Sequence, residues 1–231
     1  FESAADGWRV ILNSSCFMKS TFLDGQHFGS PADTTGAKWL YNPSDGSADS
    51  LAIGKWFSDE INGVKKGTNR LLLLDRGMDF NGDPRGFNQL IVDSLVNTTY
   101  YFRIADMDGA NPKSFSVTKK LNANYTLFSI STPTAVISEP SNADWDLLFT
   151  QYTTLLYTST GLPYPYLVTG VLLNPNIVEV ALDSITPFEN LTFEQAKSMV
   201  FTIQADKIGW EWKIYDFDKN TYKINPKLVY V

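Results

Sequence analysis

Cysteine and histidine are almost missing from this chain. Cys16 is the single cysteine, which excludes an intramolecular disulfide framework. It sits in Ser14-Ser15-Cys16-Phe17-Met18, where it reads as a small buried hydrophobe with no electropositive neighbour to make a thiolate. His27 is the single histidine, in a Gly-rich loop with no Asp or Ser pattern around it, so a catalytic triad or a zinc site built from His and Cys has no residues to draw on. Basic runs are equally scarce. None exceeds Lys65-Lys66 or Lys119-Lys120, and the net charge of −6 speaks against a nucleic-acid role, because phosphate binding needs concentrated Lys and Arg. No run of 18 apolar residues exists, so no helical membrane span is expected. No repeat of fixed period is visible either.

What is present describes a folded chain rich in strand formers. Hydrophobic residues make up 43%, charged residues 19% and aromatics 14% of 231 residues, enough to bury a sizeable core. Thr, Val, Ile and Tyr are plentiful, which favours strands over helices. The expected fold class is therefore all-β, an antiparallel sandwich-like architecture with one or two short helices. Strands are expected at Trp8–Leu12, Arg70–Leu74, Gly86–Ser94, Thr98–Ala105 and Phe115–Val117. Asp24–Asp49 reads as loop, and Leu51–Ile61, with Ile53, Trp56, Phe57 and Ile61 at helical spacing, as a short amphipathic helix. The polar stretch Lys119–Asn124 suggests a boundary, giving an N-terminal β-rich domain over 1–121 and a second β domain over 122–231.

In the second half, Ala143–Leu156 is the segment around which the chain is expected to be organised. Alternation puts Trp145, Leu147 and Phe149 on one face and Asp146, Leu148, Thr150 and Tyr152 on the other, as in a central strand covered on both sides. Tyr125–Ile130 and Ala135–Ile137 read as short strands, Tyr157–Tyr166 as a Pro- and aromatic-rich loop, and Leu167–Leu173 with Ile177–Leu182 as a hairpin about Asn174-Pro175-Asn176. Thr186-Pro187-Phe188-Glu189 and Thr192-x-x-Gln195 carry capping-box patterns, so a short helix is expected between Pro187 and Met199. Further strands are expected at Gly209–Tyr215 and Leu228–Val231.

Candidate chemistry is thin. Asp79-x-Asn81-x-Asp83, Asp106-x-Asp108 and Asp216-x-Asp218-x-Asn220 imitate calcium loops. The first, however, has Pro84 where Gly is needed, and the third has Thr221 and Lys227 at two required places. Turn chemistry accounts for all three. No residue set for catalysis stands out, and a non-enzymatic binding role is expected. Tyr157, Tyr164 and Tyr166 with Pro163 and Pro165, and separately Trp39 with Tyr41, are candidates for stacking on sugars or packing on a partner protein. They read equally as loop cores.

A family resemblance bears on that role. Trp145-Asp146 followed by an apolar run and a Tyr, then Ile208-Gly209-Trp210-Glu211-Trp212-Lys213, Tyr222-Lys223-Ile224 and Leu228-Val229-Tyr230-Val231, resembles the HmuY-like haem-binding surface lipoproteins of Bacteroidetes in order and spacing, over roughly 122–231. The resemblance implies an exported ligand-binding protein of iron acquisition, at the outer-membrane surface or extracellular, meeting the membrane only through a lipid anchor outside this chain. It implies haem as cofactor, held in the family by paired His or Met residues on two loops. That His or Met pair is not retained. Tyr215 falls near one ligand position and Met199 in the region of the other, while a rim aromatic and a core methionine are the plain alternatives. The same fold with another ligand would be a surface glycan- or protein-binding module. The chain begins at Phe1 without Met and stops on an apolar strand, so a removed leader and further chain beyond Val231 are expected.

Overall fold

The computed structural model describes residues 1–136 and 138–231. The fold is all-β as expected, with 39% strand and 5% helix. Among the described residues, no helix is long and apolar enough to cross a membrane.

The first half is built on β5 (Phe87–Val96), a ten-residue strand whose two edges are both used. On one edge it pairs with β6 (Thr99–Asp106), which pairs in turn with β7 (Lys113–Thr118). On the other edge β4 (Leu72–Asp75) and β3 (Val64–Gly67) follow one another, and β1 (Lys19–Phe22) and β2 (Phe57–Ile61) flank them. The register of β5 against β6 shifts between Val92 and Ser94, a bulge at Asp93, whose carboxylate accepts from Arg103 Nη2 at 2.6 Å. Gly67 ends β3 at this bulge. A Cβ there would collide with the Val92 carbonyl, so the close approach requires glycine.

Four consecutive leucines explain why this sheet is covered on both faces. Leu72 and Leu74 join Leu90, Val92, Tyr100, Phe102 and Val117 in one core, while Leu71 and Leu73 join Leu23 and Ile91 in another on the opposite face. The second core is roofed by the loop after β1 through Phe28, Ala32 and Trp39. Gln89, fully buried, tethers that loop: its Oε1 accepts from Gly29 N at 2.9 Å, and its Nε2 donates to Ser30 O at 2.6 Å.

Two segments over the first core differ from expectation. Trp8–Leu12 is extended but belongs to no strand, and Leu51–Trp56 is irregular rather than helical, with β2 taking up Phe57–Ile61. The helical spacing of Ile53 and Trp56 is real in that both are buried, but the backbone groups are already engaged. Ala52 N donates to Asn42 Oδ1, Ala52 O accepts from Ser20 Oγ, and Trp56 O accepts from Thr68 N. Gly54 sits at φ 59, outside the helical region.

The second half is a series of two-stranded ladders: β8 (Leu127–Ser129) with β9 (Thr134–Val136), β10 (Leu147–Tyr157) with β11 (Pro163–Leu173), β12 (Leu182–Asp183) with β15 (Val229–Tyr230), and β13 (Lys213–Asp216) with β14 (Thr221–Ile224). The expected strand residue Ile137 lies outside the described residues. Phe128 and Ile130, beyond the expected boundary at 121/122, pack on the first core. Thr192 caps α1 (Phe193–Lys197) by the anticipated reciprocal bonds with Gln195.

The organising segment is corrected. Its strand starts at Leu147, pairs among the described residues only with β11, and leaves Leu147, Leu148 and Phe149 exposed, so it is no central strand. Trp145 precedes the strand and is half-buried. The expected hairpin about Asn174-Pro175-Asn176 is corrected too: Leu167–Leu173 returns along β10, while Val180 bridges Thr202. Asn174 instead closes the β10–β11 ladder from a fully buried position. Its Nδ2 donates to Asn142 O at 2.8 Å and Trp145 O at 2.7 Å, and its Oδ1 accepts from Asn124 Nδ2 at 3.1 Å. Val171 N and Leu173 N donate outward to Gly209 O and Ala205 O, which fixes the outward parity of β11. Pro163 and Pro165 share that parity, so they blunt an edge where an N–H would otherwise be presented.

Phe102→Ala should cost about 3–5 kcal/mol through lost transfer energy and a cavity. Phe149→Ala, at a side chain 72% exposed, should stay within about 0.5 kcal/mol. Urea denaturation of the two variants checks the contrast, and equal losses would mean that Phe149 is packed in solution.

Candidate functional site

A cavity of about 470 Å³ opens between the large sheet and the β8–β9 hairpin. The sheet contributes Leu74, Leu90, Phe102 and Ile104, the hairpin contributes Leu127, Phe128 and Val136, and the extended N-terminal segment contributes Val10 and Leu12. Phe102 and Phe128 meet edge to face at 5.0 Å and fix the angle between two walls. The volume falls within the range of roughly 300–1,000 Å³ typical of small-molecule sites, and most of the wall is apolar.

The N-terminal wall is held by a charged clamp. Glu2 Oε1 accepts from Arg9 Nε at 2.9 Å and Nη2 at 2.6 Å, and Oε2 accepts from Trp8 N and Arg9 N. The intervening loop wraps an ammonium. Buried Lys119 donates from Nζ to Ala4 O at 2.7 Å, Ala5 O at 3.2 Å and Gly7 O at 2.6 Å, which uses all three of its donors. Burial pushes the Lys119 pKa below the ordinary lysine value. Burial pushes the Glu2 carboxyl up, but the hydrogen bonds and charge of Arg9 outweigh it and hold the group below the ordinary carboxylate value.

The polar end of the cavity is formed by Arg76 and Arg85. They flank the base of the β4–β5 connection, where Arg76 N donates to Gly86 O at 3.0 Å and Arg85 N donates to Gly77 O at 2.8 Å. Both side chains donate to the Ser131 hydroxyl, Arg85 from Nη2 at 3.3 Å, and Arg85 Nη1 lies 3.8 Å from Cys16 Sγ. Cys16 is half-buried with a guanidinium beside it, a neighbour that the sequence did not reveal. Burial first, and the Arg85 charge second, push Arg76 below its usual value.

The residues singled out from the sequence lie elsewhere. Tyr215 stands on β13, 38% exposed, donating its hydroxyl to Asn220 Oδ1 and packing edge-on against Phe217 and Tyr222. Met199 is half-buried in the bend after α1, not on the helix. Among the described residues, no hydrogen bond or strand pairing joins that bend to the β13–β14 hairpin. Tyr157, Tyr164 and Tyr166 are strand residues, since the turn between β10 and β11 spans only Thr158–Leu162. The register sets Tyr164 opposite Leu156 and Tyr166 opposite Thr154 on one face, whereas Tyr157 opposite Pro163 lies on the other, so the three do not share one platform. Trp39 packs into the second core with Lys19 Nζ over its ring, and His27 is exposed. Asp79 Oδ1 accepts from Asn81 N and Asp83 N, Asp108 Oδ1 from Ala110 N and Asp216 Oδ1 from Asp218 N, the turn chemistry expected of these clusters.

Arg76 and Arg85 were missed. The available signal was their spacing, nine residues apart around Asp79-Phe80-Asn81-Gly82-Asp83, so that a hairpin turn there brings them side by side. No protein family matches the chain, and no curated protein or solved structure matches it either.

Acid should loosen the N-terminal wall with a definite sign. Glu2 titrates lower in the folded than in the unfolded chain, so its contribution is present above about pH 4.3 and lost as pH falls through the folded value. Thermal unfolding between neutral pH and pH 3 should fall more steeply for the parent than for Glu2→Gln. Parallel curves would remove Glu2 as the cause.

Proposed function

We propose that this chain is a non-enzymatic protein that binds a small, largely apolar ligand. The observation that carries the reading is the cavity of about 470 Å³, lined by buried sheet residues on one side and by the more exposed β8–β9 hairpin on the other. The cleft opens to water and its lining is largely apolar, so a ligand that covers it removes apolar surface from solvent. Export to a bacterial surface and a part in iron acquisition rest on the HmuY-like resemblance alone. Within that resemblance haem is the ligand, and Tyr215 and Met199 are its candidate contacts.

A second reading, a surface module for glycan or protein, draws on the β10–β11 hairpin. From Leu147 to Leu173 it carries no charged residue, and Tyr164 and Tyr166 stand exposed about 7 Å apart along one strand face. That spacing suits stacking on adjacent flat groups.

An uncharged fluorescent probe, 1-aminoanthracene, should bind the parent saturably at one site. Val136→Trp, which places an indole at the cavity wall, should weaken that binding at least about tenfold. Unchanged affinity in Val136→Trp would move the site away from the cavity. Haemin titration of the parent and of Tyr215→Phe tests the haem reading separately: a shifted Soret band lost in Tyr215→Phe supports it, and no shift in the parent removes it.

A further inference from the structure

The chain has five arginines, and three of them have a carboxylate within ion-pair distance: Arg9 with Glu2, Arg70 with Asp24 and Arg103 with Asp93. Among the described residues, the two without one are Arg76 and Arg85, which stand together at the polar end of the apolar cavity. The nearest acidic residue in sequence, Asp75, is engaged by Lys19 at 3.4 Å and by Gly77 N at 2.9 Å. Two like charges held side by side, half-buried and without a counter-ion, repel one another, and Ser131 supplies only a neutral acceptor between them. Their forks leave most of their N–H donors for a planar anion.

We infer that the cavity takes an amphipathic monoanion, a free alkyl carboxylate whose head lies on Arg76 and Arg85 and whose hydrocarbon chain lies among Leu12, Phe102, Ile104 and Phe128. This rests on the ligand-binding reading above and names the ligand's chemical class. A carboxylate matches one guanidinium fork by two parallel N–H bonds and can accept a further bond from the other arginine, and its charge offsets the repulsion between them. The apolar wall then sets chain length rather than identity. Each methylene buried tightens binding about fourfold until the cavity is full, after which the series levels off. An uncharged head of equal tail length forgoes the ionic contacts, and a cationic head meets two like charges.

Isothermal titration with the homologous series from hexanoate to dodecanoate, below micelle formation, tests this with decanol and decyltrimethylammonium as matched heads. Decanoate should bind at least about tenfold more tightly than decanol, and decyltrimethylammonium should not bind. The double variant Arg76→Gln/Arg85→Gln should lose that preference while retaining decanol affinity, which also shows that the cavity is still formed. Decanol binding as tightly as decanoate, or decanoate affinity unchanged in the double variant, would overturn the head-group assignment and leave the ligand-binding reading intact. Failure of both decanol and decanoate to bind the parent would overturn both. Co-sedimentation with vesicles of phosphatidylcholine and phosphatidylglycerol, lost in the double variant and without decanoate binding in solution, would overturn the free acid in favour of a lipid head group.

Discussion

The pairing of both edges of β5 is the constraint on which the rest of the structure depends. Because β6 occupies one edge along almost its whole length, β4 and β3 must share the other, end to end. The junction between them works only because Gly67 lets backbone meet backbone at the Asp93 bulge. The sheet so fixed has two apolar faces, and Leu71–Leu74 feeds both of them. Each covering layer is then an answer to one face. The loop after β1 is pinned by Gln89 over one, and the N-terminal segment, Leu51–Phe57 and the β8–β9 hairpin lie over the other.

That second covering is where the cavity arises. A continuous sheet would have interlocked with the first and filled the space. Short segments, each held by its own polar device, cover the sheet without closing on it. Glu2 and Lys119 hold one segment, Asn42 another and the Phe102–Phe128 contact a third. The polar end exists because the β4–β5 turn projects two arginines past the last core leucine. Cavity and charge therefore share one origin, the end of β4.

The second half follows different rules. Its ladders have two strands each, and an isolated two-stranded ladder is marginal in water. Buried polar groups supply much of its definition, above all Asn174, whose amide ties the backbone carbonyls of Asn142 and Trp145 to the side chain of Asn124. Tyr152 is buried beside Gly170 and Gly209, where a Cβ on Gly170 would collide with the Gly209 carbonyl. The prolines at the outer edge of β11 keep a charge-free hairpin from presenting a ladder to other strands.

Local pattern by itself determined the elements whose residues answer to their own neighbours. Alternation placed β5, β6 and β7 within a residue or two, the leucine run gave β4, and Thr192 with Gln195 gave the cap of α1. The Asp-rich turns were likewise legible, because an Asx turn is made within four residues. Tertiary structure decided whatever depends on a distant partner. Leu51–Trp56 carries helical spacing but is not helical, since Asn42, Ser20 and Thr68 claim its backbone groups. Ala143–Leu156 carries the alternation of a central strand, yet which faces are covered is set by elements far away in the chain. The arginine pair belongs to the same class. Whether a guanidinium is neutralised depends on where every carboxylate in the fold comes to rest, and no spacing along the chain states that.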